Sequence, residues 1–380
     1  MLKRAAPSFV PQGACTIGQA LDASNGIGPG FNTIRFAGAV AVLMTHAFDL
    51  TRTGVSAEPV RIVSGGQVSF GGMAVYYLFF ISGFLVTASF MRAKSMSEFA
   101  LRRGMRLYPA LVVVMLVTWL VLGPLVTTMP LPEYFNDRLF STFFWNLALV
   151  GDFSLPGVFE TNRFPNVVNG SLWTLRYEVL CYVLLAACGA AGLLRRRWIV
   201  LVAALVVIPL GWLARGQQWY VFPPFGMALS DALRLGAYFV AGTLIYLYRD
   251  VIPLDRRMAI GAAALMLIFL LCGGFHLFFP VLGGYLVVYL GMQPALGFSL
   301  LRTNDYSYGT YAYAMPVQQL VIFCAPALAV WWINILLALP LTLLCAVLSW
   351  HLIEKPALSR VRGWMRGDPG GAVPRLQTGH

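Results

Sequence analysis

The chain has 380 residues, of which 59% are hydrophobic and 11% charged, and its mean hydropathy is +0.73. Soluble domains carry about 25% charged residues, so an ordinary water-soluble globule is excluded and an all-α polytopic membrane protein is expected. The net charge of +12 does not indicate nucleic acid, because the basic residues gather between apolar runs, as cytoplasmic loop charges do.

Residues 1–31, with Lys3, Arg4 and several glycines and prolines, read as a cytoplasmic tail without a signal-peptide core. The first predicted span covers about 32–50 and the second about 70–91. A basic stretch follows, with Arg92, Lys94, Arg102, Arg103 and Arg106, and the third span covers about 107–128. Residues 129–171 form the longest polar segment, an outer loop. Its apolar piece LFSTFFWNLALV is too short to span and reads as re-entrant or interfacial. Later spans are placed at about 172–194, 198–214, 231–248, 259–275, 277–292, 307–325 and 331–351. Basic residues follow the second, fourth, sixth and tenth spans. Ten spans and that charge bias put both termini in the cytoplasm. The domain reading is therefore a tail at 1–31, a membrane domain at 32–356 and a basic cytoplasmic tail at 357–380, with Lys355–Pro356 ending the last helix.

The first span carries an arginine, a histidine and an aspartate in an apolar run. Arg35 and His46 are eleven residues apart, about three helical turns, so they share a face and lie about 16 Å apart along the axis. Asp49 continues that face one turn beyond His46. Span four is read as starting at the outer surface near Leu172, which puts Glu178 about 9 Å below it and in one layer with His46 and Asp49. Histidine beside carboxylates is apparatus for general base catalysis. A purely structural pairing of His46 with Asp49 or Glu178 is the competing reading, but ionisable groups inside a membrane point to function by default.

At the cytoplasmic side, Arg103 and Arg106 share a helical face. By spacing alone they are ordinary positive-inside anchors. Arg35 lies too far into its apolar run for that role. Together the three arginines suit phosphates at the cytoplasmic mouth of a ligand with a thin arm reaching about 16 Å inward, which is the shape of a coenzyme A thioester. Ser82 and Gly83 read as helix-packing positions, and Asp231 with Arg234 as a structural ion pair. Five of the six cysteines fall in apolar runs and none has metal-ligand spacing, so neither metal nor disulfides are expected.

These residues sit in segments that resemble the acyltransferase 3 family of integral membrane acyltransferases. Arg35 and His46 look like its arginine, ten residues, histidine signature. VYYLFFISGFL, RRGMRLYPAL, NGSLWTLRYEVLCY, YSYGTYAYAMPVQQ and HLIEKP follow in the family's order across residues 30–356. Ala314 stands where many members have a histidine, Tyr76 and Tyr77 where an acidic residue is common, and Arg176 where proline is frequent. The resemblance implies transfer of an acyl group, commonly acetyl, from cytoplasmic acyl-CoA to a hydroxyl of a glycan or other acceptor at the outer face of a bacterial inner membrane. His46 then serves as base, oriented by Asp49 or Glu178, while Arg35, Arg103 and Arg106 bind the donor. A transporter or flippase of a glycan precursor or proton-coupled solute is the alternative, since the same buried ionisable groups can relay protons.

Overall fold

The computed structural model describes residues 15–365 apart from residues 25, 52–56, 218, 220 and 223–225. Lys3 and Arg4, and the part of the basic tail beyond residue 365, lie outside the described residues.

The described chain is mostly helical. Ten principal helices organise it: α1 (Phe31–Leu50), α2 (Phe70–Arg92), α3 (Met96–Val117), α4 (Leu175–Ala190), α5 (Arg197–Leu213), α6 (Leu229–Leu247), α7 (Arg256–Cys272), α8 (Gly284–Gly291), α9 (Ser307–Cys324) and α10 (Trp331–Ser349). Among the described residues, five helical stretches are long and apolar enough to cross a membrane: Phe31–Leu50, Phe70–Arg92, Met96–Val126, Gly170–Ala190 and Trp331–Val361. The chain is thus a multi-pass membrane protein. Only two two-residue antiparallel strand pairs occur among the described residues.

Local chemistry sets several helix ends. Ser69 and Ser95 cap α2 and α3 by accepting the N–H of Gly72 and Glu98. Asp255 caps α7 in the same way. Helix α2 runs antiparallel to α1, with Gly71 N–H donating to Thr45 Oγ1 at 2.7 Å and Tyr77 packing over Gly38. Helix α6 crosses α2 so closely that a Cβ on Gly83 would overlap the Phe239 carbonyl, and one on Gly242 the Phe80 carbonyl. Small residues allow such backbone approach between membrane helices.

Three expectations from the sequence change. Residues 15–23 of the expected tail are packed onto the body: Cys15–Thr16 pairs with Pro253–Leu254, and Ile17, Ala20 and Leu21 of a short helix are buried. Pro356 does not end the last helix. A π turn at Trp350–Glu354 leads into a further helix, α11 (Lys355–Met365); the altered hydrogen-bond register there removes the need for a proline N–H.

The third change concerns the outer loop. Within LFSTFFWNLALV, Phe144 and Trp145 are exposed on a short helical ridge. It is the following segment that runs inward along α9. Asn162 Nδ2 donates to the Gln319 carbonyl at 2.9 Å. Gln319 Nε2 in turn donates to the carbonyls of Phe164 and Val167 at 3.2 and 2.9 Å. Deeper along α9, Asn169 Nδ2 donates to the Ala312 carbonyl at 2.9 Å, and Tyr311 donates to the Ser171 carbonyl. Stepping from Gln319 to Tyr311 is about 12 Å along a helix. Helix α4 therefore starts well inside the molecule, beside the first turns of α9, and not at an outer surface.

Candidate active site

The shared face of α1 begins at Arg35. Its Nη1 donates to Asp305 Oδ2 at 2.6 Å, and Arg106 Nη2 of α3 donates to the same oxygen at 2.6 Å. The other carboxylate oxygen accepts from Ser307 Oγ at 2.5 Å and from its backbone N–H at 3.2 Å. Asp305 is buried in the turn before α9. Burial pushes its carboxyl up, but the Arg106 and Arg35 guanidiniums and Ser307 outweigh this and hold its pKa at about 2. From the other side, Glu354 Oε2 of the π turn approaches Arg106 Nη1 at 3.8 Å.

Arg35, Arg103 and Arg106 line one cavity together with Glu178, Ser82 and Tyr182. Tyr182, one turn beyond Glu178 on α4, donates a short hydrogen bond to Glu178 Oε1. Ser82 Oγ donates to the same oxygen at 3.2 Å and lies 3.3 Å from Tyr182 Oη. Arg103 Nη2 donates to Ser89 Oγ at 3.3 Å. The buried Nε of Arg103 and the buried hydroxyl of Tyr308, both of which line the cavity, have no hydrogen-bond partner among the described residues. The cavity thus holds spare donors, a carboxylate fixed by two hydroxyls, and three cations. Such a set can grip an anion and hold a polar carbonyl beside a proton acceptor.

His46 and Asp49 do not line this cavity. Asp49 is half-buried and pairs with Arg61 at 3.5 Å. The buried His46 Nδ1 has no hydrogen-bond partner among the described residues. His46 is level with the start of α2, where Thr45 meets Gly71. Glu178 meets Ser82, eleven residues farther along α2, about 16 Å away by helical rise. The single layer of His46, Asp49 and Glu178 expected from the sequence does not form, because the inward run of residues 162–174 carries α4 past the His46 level. Ala39, one turn above Arg35 on the shared face, does line the cavity. The face of α1 therefore leads from the cavity toward His46.

Residues 29–352 match the model of the Acyltransferase domain family known as acyltransferase 3. The chain belongs to the acyltransferase 3 family. It is similar to the O-acetyl transferase of Shigella phage Sf6, with 27% identity over 342 residues, covering 87% of this chain and 96% of the relative. It is also similar to Nodulation protein 10 of Rhizobium leguminosarum bv. viciae, with 28% identity over 365 residues, covering 90% and 96%. No solved structure matches. This acyltransferase 3 member is accordingly a membrane O-acyltransferase, with an acyl donor and a hydroxyl acceptor.

Sequence reasoning assigned Ser82 to packing. Its neighbour Gly83 has that role, while Ser82 Oγ faces the carboxylate. The spacing of Glu178 and Tyr182, four residues apart on one helix, was the available signal. Asp305 escaped notice because it lies in a polar turn, LRTND, with nothing local to mark its partners. Asp231 and Arg234 form the expected ion pair at 2.5 Å, and Arg234 also donates to Tyr76 Oη at 3.4 Å. Arg176 donates to the carbonyls of Gly226 and Gly151 at 3.1 and 3.2 Å, which ties the outer loop to the entry of α6.

Proposed function

We propose that this enzyme takes an acyl group, acetyl being the simplest, from cytoplasmic acyl-CoA and transfers it to a hydroxyl of a surface or exported glycan. It does so from a bacterial inner membrane, with about ten spans and both termini in the cytoplasm. The observation that carries the donor half is the cavity in which Arg35, Arg103 and Arg106 surround the same space as Glu178. Three guanidiniums in one buried cavity suit phosphates. The name of the phage relative, an O-acetyl transferase, supports acetyl as the group moved.

In this reading the donor's phosphates rest on the arginines and its arm runs up the face of α1 past Ala39. Glu178, fixed by Ser82 and Tyr182, borders the arm. The thioester then lies toward His46, whose free Nδ1 takes the proton of the acceptor hydroxyl. The oxygen attacks the thioester carbonyl, the C–S bond breaks, and the thiolate leaves with a proton as CoA. Asp49, held by Arg61, sits one turn farther out on the acceptor side and tunes the charge there. Acceptor contacts come from the 129–171 loop.

Mass spectrometry of surface glycans tests this with the wild-type chain, a deletion, and His46→Ala at equal membrane abundance. Loss of an acyl mass in both deletion and mutant supports the reading, and the modified sugar names the acceptor. Unchanged glycan acylation in the deletion overturns the glycan acceptor. Intact acylation in His46→Ala removes His46 as the base.

A further inference from the structure

We propose that Asp305 is a positioning residue of the donor site, holding the Arg35 and Arg106 guanidiniums side by side where they meet the donor's phosphates. The inference rests on the donor reading above and adds to it a residue without which two of its three cations do not hold their places.

The geometry is specific. A single oxygen, Asp305 Oδ2, accepts one N–H from each arginine at 2.6 Å. The two guanidiniums come from α1 and α3 and would repel each other without a shared anion. The second oxygen is pinned by Ser307 through both its hydroxyl and its backbone N–H, so the carboxylate cannot rotate away. The turn that carries it is fastened to the π turn that follows α10: Trp350 Nε1 donates to Asn304 Oδ1 at 2.9 Å, and Tyr306 Oη lies 3.3 Å from His351 Nε2. Each guanidinium has five N–H donors. Asp305 uses one from each, which leaves the others for a ligand. Arg106 also has Glu354 at 3.8 Å, whereas none of the described ion pairs includes Arg103. The cations therefore divide into a carboxylate-held pair and Arg103, which among the described residues is held by the Ser89 hydroxyl alone, and the late segments DYSYG and HLIEKP act on the donor site by building the clamp.

The test uses the full chain purified in detergent, with CoA as the probe in equilibrium binding and acetyl-CoA in steady-state kinetics. Asp305→Asn keeps the side-chain shape and removes the charge. It is expected to weaken CoA binding at least tenfold and to raise KM for acetyl-CoA by a similar factor, with kcat at saturating donor within about threefold of wild type. Asp305→Glu restores part of the affinity, and Ser307→Ala, which frees the carboxylate to turn, weakens binding about threefold. A lower unfolding midpoint is expected on either account, so the kinetic split decides: a purely structural role predicts a lower kcat with KM unmoved, and that result overturns the proposal. Unchanged CoA affinity in Asp305→Asn does so as well while leaving the donor reading intact. If Asp305→Asn does not fold, Ser307→Ala and Asp305→Glu decide, and wild-type affinity in both is the overturning result. A wild-type chain that binds no CoA, while Arg103→Gln behaves identically, removes the donor reading and this inference together.

Discussion

Arg106 and Asp305 are 199 residues apart in the chain and 2.6 Å apart in space. That contact closes α3 onto the start of α9, and Glu354 of the π turn joins it from α10. Removing the shared cation leaves two largely buried carboxylates with less compensation. Arg106→Ala is expected to destabilise the protein by about 3–5 kcal/mol, the cost of breaking a buried pair from one side. Thermal unfolding in detergent checks it; a midpoint equal to wild type contradicts the burial argument.

The same carboxylate gives a pH signature. The folded pKa of Asp305 is about 2, below the ordinary 3.8. A depressed carboxyl contributes stability that is fully present above pH 3.8 and is lost as pH falls through about 2. The contribution is roughly 2 kcal/mol. Wild-type stability is therefore expected to drop over this acid window more steeply than that of Asp305→Asn, with little difference in slope near neutrality. Unfolding midpoints at a series of pH values measure the two slopes.

His46 and Asp49 share a face of α1 but have different surroundings. The buried Nδ1 of His46 is unpartnered, and Asp49 is held by Arg61. Loss of a general base typically costs 10²–10⁴-fold in rate. His46→Ala is expected to fall in that range, and Asp49→Asn to lose less than about tenfold. Acetyl transfer assayed in membranes at matched abundance separates the two. Equal losses would mean that the carboxylate acts on the histidine directly.

Glu178 is fixed by Ser82 and Tyr182 at the donor cavity. Glu178→Gln keeps the size and removes the charge, and a loss of roughly 100-fold in turnover is expected if it acts on a proton beside the donor. Tyr182→Phe removes one of its two hydroxyl partners, with an expected loss of about tenfold. Single-turnover measurements with saturating acetyl-CoA distinguish these effects from donor binding.

The crossing of α2 and α6 rests on Gly83 and Gly242, where an added Cβ meets backbone rather than a movable side chain. Gly83→Ala is expected to cost about 1–3 kcal/mol by overpacking. Ser82→Ala, at the neighbouring position, should leave stability nearly unchanged. Paired unfolding midpoints for the two variants test whether the two residues have separate roles.

Much of this was legible along the chain. The apolar runs mark helices because a bilayer demands about 20 apolar residues in a span, and helical stretches occupy them. The common face of Arg35 and His46 follows from helical periodicity alone. The packing of residues 15–23 and the continuation of helix through Pro356 are not legible locally: the first depends on the strand pair with distant Pro253–Leu254, the second on the π turn at Trp350–Glu354.

By itself the sequence determined the membrane class, the family, and which cations and carboxylates are available for chemistry, since composition, periodicity and motif order are local properties. The tertiary structure alone decided their company. Hydrogen bonds from residues 162–171 to α9 carry α4 inward, which sets Glu178 among the arginines and away from His46. Asp305 gained two cations from helices remote in sequence. A buried charge is stable only where its partners converge, and that convergence depends on how deep each segment enters the bundle, which no local pattern records.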